Sequence, residues 1–143
     1  MKLPNWLVAL SYLGLVPFLA GPLALTLWPH SAPAWLQGAW INYVILVAVF
    51  LSGSLWGFGI VMLSQGGSGL GVLIASALAL LIWADTLLSL HHSLYGLIVI
   101  FSLSLLADLW RERSMGPFPS YFRLRCNLTL GALVAIAWRI ALP

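Results

Sequence analysis

The chain has 143 residues, of which 62% are hydrophobic and 6% charged, and its net charge is +3. Soluble domains carry roughly a quarter charged residues, so this composition excludes a water-soluble fold and predicts a polytopic membrane protein. The single cysteine, Cys126, excludes an internal disulfide and a cysteine-based metal site, and nothing in the charge pattern points to nucleic acid.

The first predicted span runs from about residue 6 to 28. Lys2 followed by an apolar run resembles a signal peptide. The run is too long for that, and no small-x-small cleavage site follows, so a retained span is expected. Pro17 and Pro22 each remove a helix hydrogen bond and predict a kink between them. "WPHSAPAWLQGAW" reads as an interfacial loop with Trp28, Trp35 and Trp40 at headgroup level. The second span covers about 40–63. The glycine-rich "SQGGSG" turn leads to a third at about 70–89, and a fourth follows at about 93–110. The polar segment "RERSMGPFPSYFRLR" precedes the last span, about 126–142.

The predicted fold is all-α: one integral membrane bundle of five transmembrane helices over residues 1–143. Lys2, Arg111, Arg113, Arg123 and Arg125 then share one side, and only Arg139 lies on the other. The positive-inside rule places the N-terminus inside and the C-terminus outside. A re-entrant twin-proline segment would break this bookkeeping.

Within the spans, Gly53 and Gly57 are four apart, and Gly67 and Gly71 begin a similar stripe continued by Ala75 and Ala79. Small residues at this spacing let helices approach closely. The expectation is packing of the second helix on the third; the alternative is a face for a second copy or another subunit. Trp56 is expected as a packed core tryptophan. Asp85, Ser89 and His92 would share a face if the third helix continued that far. Asp85 and His92 are therefore a candidate proton or ion site, with a wetted interfacial cap as the bland alternative; His91 points away. Arg111, Arg113, Arg123 and Arg125 are expected to meet anionic lipid headgroups, and Arg139 to reach the opposite interface.

Tyr43, Ile45, Leu46, Phe50, Gly53, Trp56 and Gly57 resemble the signature span of a family of small bacterial and mitochondrial membrane proteins. That family carries a domain of unknown function and includes the mitochondrial transmembrane protein sixty-nine. Leu55 stands where that family has a polar residue. Asp108, Tyr121, Leu124, Arg125, Leu128 and Thr129 fit its second motif, with Ser120 in place of a tryptophan. Spacing alone predicts a surface ion pair between Asp108 and Arg111, three residues apart; the resemblance implies a five-span layout and, in place of that pair, an Asp108–Arg125 ion pair clamping the fourth helix to the fifth. It implies no reaction.

No nucleophile–base pair, phosphate loop or zinc signature is present, and "GSGLG" lacks the strand a dinucleotide fold requires. The expected function is non-catalytic and cofactor-free: an accessory or assembly subunit packing on a larger respiratory or photosynthetic inner-membrane complex. Alternatives are a small oligomeric transporter or channel, or a lipid- or quinone-binding protein with a groove beside the kinked first helix. Expected partners are anionic lipids and other integral membrane subunits or a second copy. The expected location is the bacterial inner membrane or, in a eukaryote, the mitochondrial inner membrane.

Overall fold

Proline decides where the first apolar run bends. In the computed structural model, which describes residues 3–114 and 118–142, the run forms two helices, α1 (Asn5–Leu13) and α2 (Val16–Leu27). The break is at Gly14–Leu15, ahead of Pro17 and not between the prolines as the sequence suggested. Pro17 has no N–H to continue α1, but it fits the first turn of α2, where that N–H would lack a partner anyway. Pro22 stays inside α2 and leaves the Phe18 carbonyl without its usual donor.

The Phe18 carbonyl and the Gly14 carbonyl at the break are both served from α3 (Trp35–Ser64). Trp40 Nε1 donates to the Phe18 oxygen at 2.9 Å. The Tyr43 hydroxyl donates to the Gly14 oxygen. The Trp40 ring lies directly on Gly21, where a Cβ would collide with it. Trp40 is therefore buried in the bundle and turned away from any headgroups, and "WLQGAW" is the first turn and a half of α3, not loop. Tyr43→Phe removes the only donor shown for the Gly14 carbonyl. It should lower stability by about 1–3 kcal/mol, read as an earlier thermal unfolding midpoint in detergent; an unchanged midpoint would show that the bond is dispensable.

The other elements are α4 (Leu70–Asp85), α5 (Leu90–Ser114) and α6 (Pro119–Ala141). The "SQGGSG" turn closes α3 with Gly66 at φ +85. Gly66 N–H donates to Leu63 O and Gly67 N–H to Met62 O, the paired bonds of a Schellman cap, and Gly66 supplies the left-handed residue it needs. The third predicted span ends early: α4 stops at Asp85, and residues 86–88 turn through hydrogen bonds to residues 83–85. Both flanks of the polar segment are helical, so α5 and α6 extend past the predicted limits. Lys2, the Met115–Pro117 part of that segment and Pro143 lie outside the described residues.

Side-chain contacts set the helix directions. Arg111 and Arg125 meet Phe58 and Leu51, so the end of α5 and the start of α6 lie beside the second half of α3. Asp85 at the end of α4 meets Ser93 at the start of α5. Arg139 meets Gln37, and Trp138 meets Thr26, so the end of α6 returns beside α2's end and α3's start. The core between them includes Phe18, Val44, Ala48, Ile82, Leu97, Phe101 and Ile136. Phe18 makes edge contacts with Tyr43 and Phe101 at ring separations of 5.3 and 6.1 Å.

Large apolar side chains also cover the outside: Phe50 is 71% exposed, and Leu73, Leu80 and Leu106 are similarly open. Water would oppose this surface and lipid would not. The α1–α2 pair, α3, α5 and α6 are each long and apolar enough to cross a membrane. This is an all-helical, multi-pass membrane protein. At 1.5 Å per residue, α3 with its 30 residues is ~45 Å long, and α4 with 16 is ~24 Å, short of a ~30 Å hydrocarbon core.

Candidate functional site

The densest polar chemistry sits where α5 ends, α6 begins and α3 passes its midpoint. Asp108 and Arg125 form a buried, two-pronged pair: Nε donates to Oδ2 at 3.0 Å and Nη2 to Oδ1 at 2.9 Å. Arg125 spends its other donors on the Leu51 carbonyl of α3, at 3.1 Å, and on the Tyr121 hydroxyl, at 3.3 Å. A guanidinium has a planar fork of five N–H groups and no acceptor. One carboxylate, one carbonyl and one phenol therefore join three helices through this single side chain.

Arg111 lies beside it and is also buried. Its guanidinium carbon stands 4.9 Å from the Phe58 ring centre and 5.4 Å from that of Tyr121. Its Nη2 donates to Glu112 at 2.6 Å. Glu112 in turn accepts the Phe118 N–H at 3.0 Å, ahead of the first turn of α6. Two arginines thus face two carboxylates in one neutral cluster. Every carboxylate oxygen in it is engaged, and no nucleophile stands beside a base. Its chemistry is that of a clamp.

The cluster changes the reading of the arginines. Arg111 and Arg125, expected at lipid headgroups, are turned inward because each has a carboxylate and an aromatic ring to meet inside the bundle. Arg113 and Arg123 are exposed and remain available to headgroups. The spacing suggests a surface pair of Arg111 with Asp108, but Arg111 is buried and pairs with Glu112 instead; nothing in the sequence marks Phe58. The alternation of Phe58, Arg111, Tyr121 and Arg125 exists only across three helices.

The small-residue expectation needs correction as well. A Cβ on Gly53 or Gly57 meets nothing within 4 Å, and Trp56 is 47% exposed. These three face outward, and the close approach of α3 to α4 is made by Gly59. A Cβ on Gly59 would lie 2.7 Å from Val72 N and 3.0 Å from the Gly71 carbonyl carbon. Gly59 is two residues past Gly57, which on a helix is the opposite side. Gly71 is buried at that crossing, while Gly67 belongs to the Schellman turn. Ser52 Oγ adds a cross-helix bond to the Ala75 carbonyl at 2.7 Å.

Asp85 and His92 are not brought together. The helix they were to share ends at Asp85, which turns inward and accepts from Ser93 Oγ at 2.6 Å. Its other oxygen, Oδ1, has no hydrogen-bond partner and packs on Gly96, where a Cβ would strike it. His92 is exposed and shares a 2.8 Å bond with Ser89, and His91 packs its ring against Tyr95. No group of three or more His, Cys, Asp or Glu side chains able to hold a metal occurs among the described residues.

A family model described as a protein of unknown function, DUF3429, matches residues 3–141. The chain belongs to the DUF3429 family. No curated protein and no solved structure matches it. In this DUF3429 chain, the two motifs quoted from the sequence meet at the clamp. Asp108, Tyr121 and Arg125 of the second motif reach α3 at Leu51, inside the first. Tyr43 of the first motif closes the α1–α2 break. Gly53, Trp56 and Gly57 form its outward face.

Proposed function

We propose that this DUF3429 chain is a non-catalytic accessory or assembly subunit of a larger inner-membrane complex, crossing the bilayer five times with its N-terminus and arginine-rich segment inside. Five crossings are supported by α4 linking the end of α3 to the opposite end of the bundle, where α5 starts. The short α4 is followed by outward-facing Leu87 and Leu88, which lengthen its apolar band. The inside assignment rests on Arg113 and Arg123, two exposed cations at one end of the bundle.

The observation that carries the subunit reading is the open glycine face of α3. Gly53 lines a groove of about 460 Å³ between α3 and α4, with Val49, Trp56, Ala79 and Leu80 around it, and Gly57, one turn on, is open as well. Lipid supplies no hydrophobic push between helices, so a surface where another backbone can approach closely is what a partner helix needs. Purification in mild detergent from native membranes, with mass spectrometry of the bound proteins, should recover a stoichiometric set of integral membrane subunits. Gly53→Leu with Gly57→Leu should deplete them about tenfold with little change in the unfolding midpoint, because a Cβ at either position meets nothing within 4 Å. Recovery of the chain alone, or undiminished recovery with the double variant, sinks the reading.

A second reading has its own observation. The α1–α2 break opens a pocket of about 300 Å³ lined by Leu10, Gly14, Phe18, Val47, Phe101 and Leu128, among others. Its polar neighbours, Tyr43 and Ser11, are already hydrogen-bonded, so it suits an acyl or isoprenoid chain. Solvent extraction of the same preparation distinguishes the two: one lipid or quinone species near one per chain supports the pocket, and a mixture reflecting the bulk membrane removes that support.

A further inference from the structure

The end of the bundle opposite the clamp carries a different kind of site. Arg139, in the last turn of α6, has no carboxylate partner among the described residues. Asp108 holds Arg125, Glu112 holds Arg111, and Asp85 is bonded to Ser93. Arg139 Nη2 donates only to a neutral acceptor, Gln37 Oε1, at 2.8 Å. Its Nε–H is buried with no hydrogen-bond partner among the described residues. Arg139 and Gln37 line a pocket of about 400 Å³ with Thr26, Leu25, Pro29 and Leu142. One wall is fixed: Thr26 Oγ1 donates to the Pro22 carbonyl at 2.8 Å and accepts from Trp138 Nε1 at 3.1 Å.

We propose that this pocket is a phosphate-class oxyanion site, with Arg139 as its charge and the Gln37 amide as its second donor. Guanidinium matches phosphate oxygens through paired N–H bonds. A buried N–H with nothing to donate to is costly until an acceptor arrives. Gln37 stands in the first turn of α3, whose free N–H groups favour an anion, while the carbonyl ends of α2 and α6 lie beside it and leave Arg139 as the charge that decides the field. Leu25, Pro29 and Leu142 give the pocket an apolar rim that suits a lipid phosphodiester, while a free phosphate would use only the donors. Unlike the arginine-rich segment, this site has a single unneutralised cation and a shaped cavity.

The test uses Gln37→Glu, which places a carboxylate against Nη2 and neutralises Arg139 without removing it. It is made in an Arg113→Gln/Arg123→Gln background so that the exposed arginines contribute nothing. Delipidated protein in detergent is offered phosphatidylglycerol and followed by native mass spectrometry. In a parallel arm, millimolar inorganic phosphate is compared with chloride at equal ionic strength by thermal unfolding. Retention of phosphatidylglycerol about tenfold above that of the Gln37→Glu protein supports the site with a lipid headgroup as its source. A phosphate-dependent rise in midpoint that Gln37→Glu abolishes, without lipid retention, supports the site with a soluble oxyanion. If the glutamate variant folds and matches its parent in both arms, the proposal is overturned. Arg139→Gln provides the second variant should Gln37→Glu not fold, with the same reading of each outcome.

Discussion

Asp108→Ala should lower stability by about 3–5 kcal/mol, the scale for stranding one partner of a buried ion pair. Arg125 is the reason. It cannot discharge, it is 5% exposed, and its two strongest bonds end on Asp108. Arg125→Ala is expected to cost on the same scale, since it strands Asp108 and also removes the bonds to Leu51 and Tyr121 that bring α3 into the joint. The loss should appear as reduced folded protein in the membrane and an earlier unfolding midpoint. Exchanging the two charges, Asp108→Arg with Arg125→Asp, should restore only part of it. The pair re-forms, but a carboxylate at position 125 cannot donate to the Leu51 carbonyl. Full recovery would mean that the bond to α3 is irrelevant. No recovery would mean that geometry outweighs charge. Double Ala replacement should cost less than the sum of the two single changes, because neither partner is then left bare.

Gly59→Leu is the second large expected effect. A Cβ there would press on the backbone at Gly71 and Val72, not on the end of a flexible side chain. Backbone cannot rotate away, so α3 and α4 must separate at their closest point. Overpacking of this kind costs about 1–3 kcal/mol in ordinary cores, and the upper end is expected where a whole helix pair shifts. The separation would also stretch the 2.7 Å bond from Ser52 to the Ala75 carbonyl. Gly53→Leu, six residues earlier on the same helix, should be silent in the isolated chain. If both substitutions gave equal losses, the α3–α4 crossing described above would be wrong.

The contrast between these glycines shows what a sequence of this kind discloses. Hydrophobic length located the apolar stretch of each expected span but not the polar first turns of α3 and α6, and proline spacing announced that the first span would bend. A four-residue spacing defines a face, but it does not say what stands opposite. Gly59 belongs to no such spacing with Gly53 and Gly57 and so escaped notice, although it makes the tightest approach. The bend was misplaced because proline's missing N–H acts on the carbonyl four residues earlier, so the disturbance falls upstream of the ring. Tyr43 closes the break at Gly14, and Trp40 serves the Phe18 carbonyl that Pro22 leaves open, both from a helix more than twenty positions away. Asp108 and Arg125 were legible as a pair; Arg111 was not, because its burial depends on Phe58 and Tyr121 converging from different helices. Asp85 and His92 were separated by a helix end that the apolar run Leu87–Leu88 disguised.

The Asp108–Arg125 bond joins residues only 17 apart in the chain, and this bears on how the protein is built. A newly made α5–α6 hairpin holds the counter-ions of both its inward-turned arginines, Arg111 and Arg125, before any other helix greets it. The Leu51 carbonyl and the Phe58 ring then become receptors for side chains that are already paired. Late arrival of this hairpin at the α1–α4 assembly would leave neither buried arginine bare, whereas α6 arriving alone would expose Arg125.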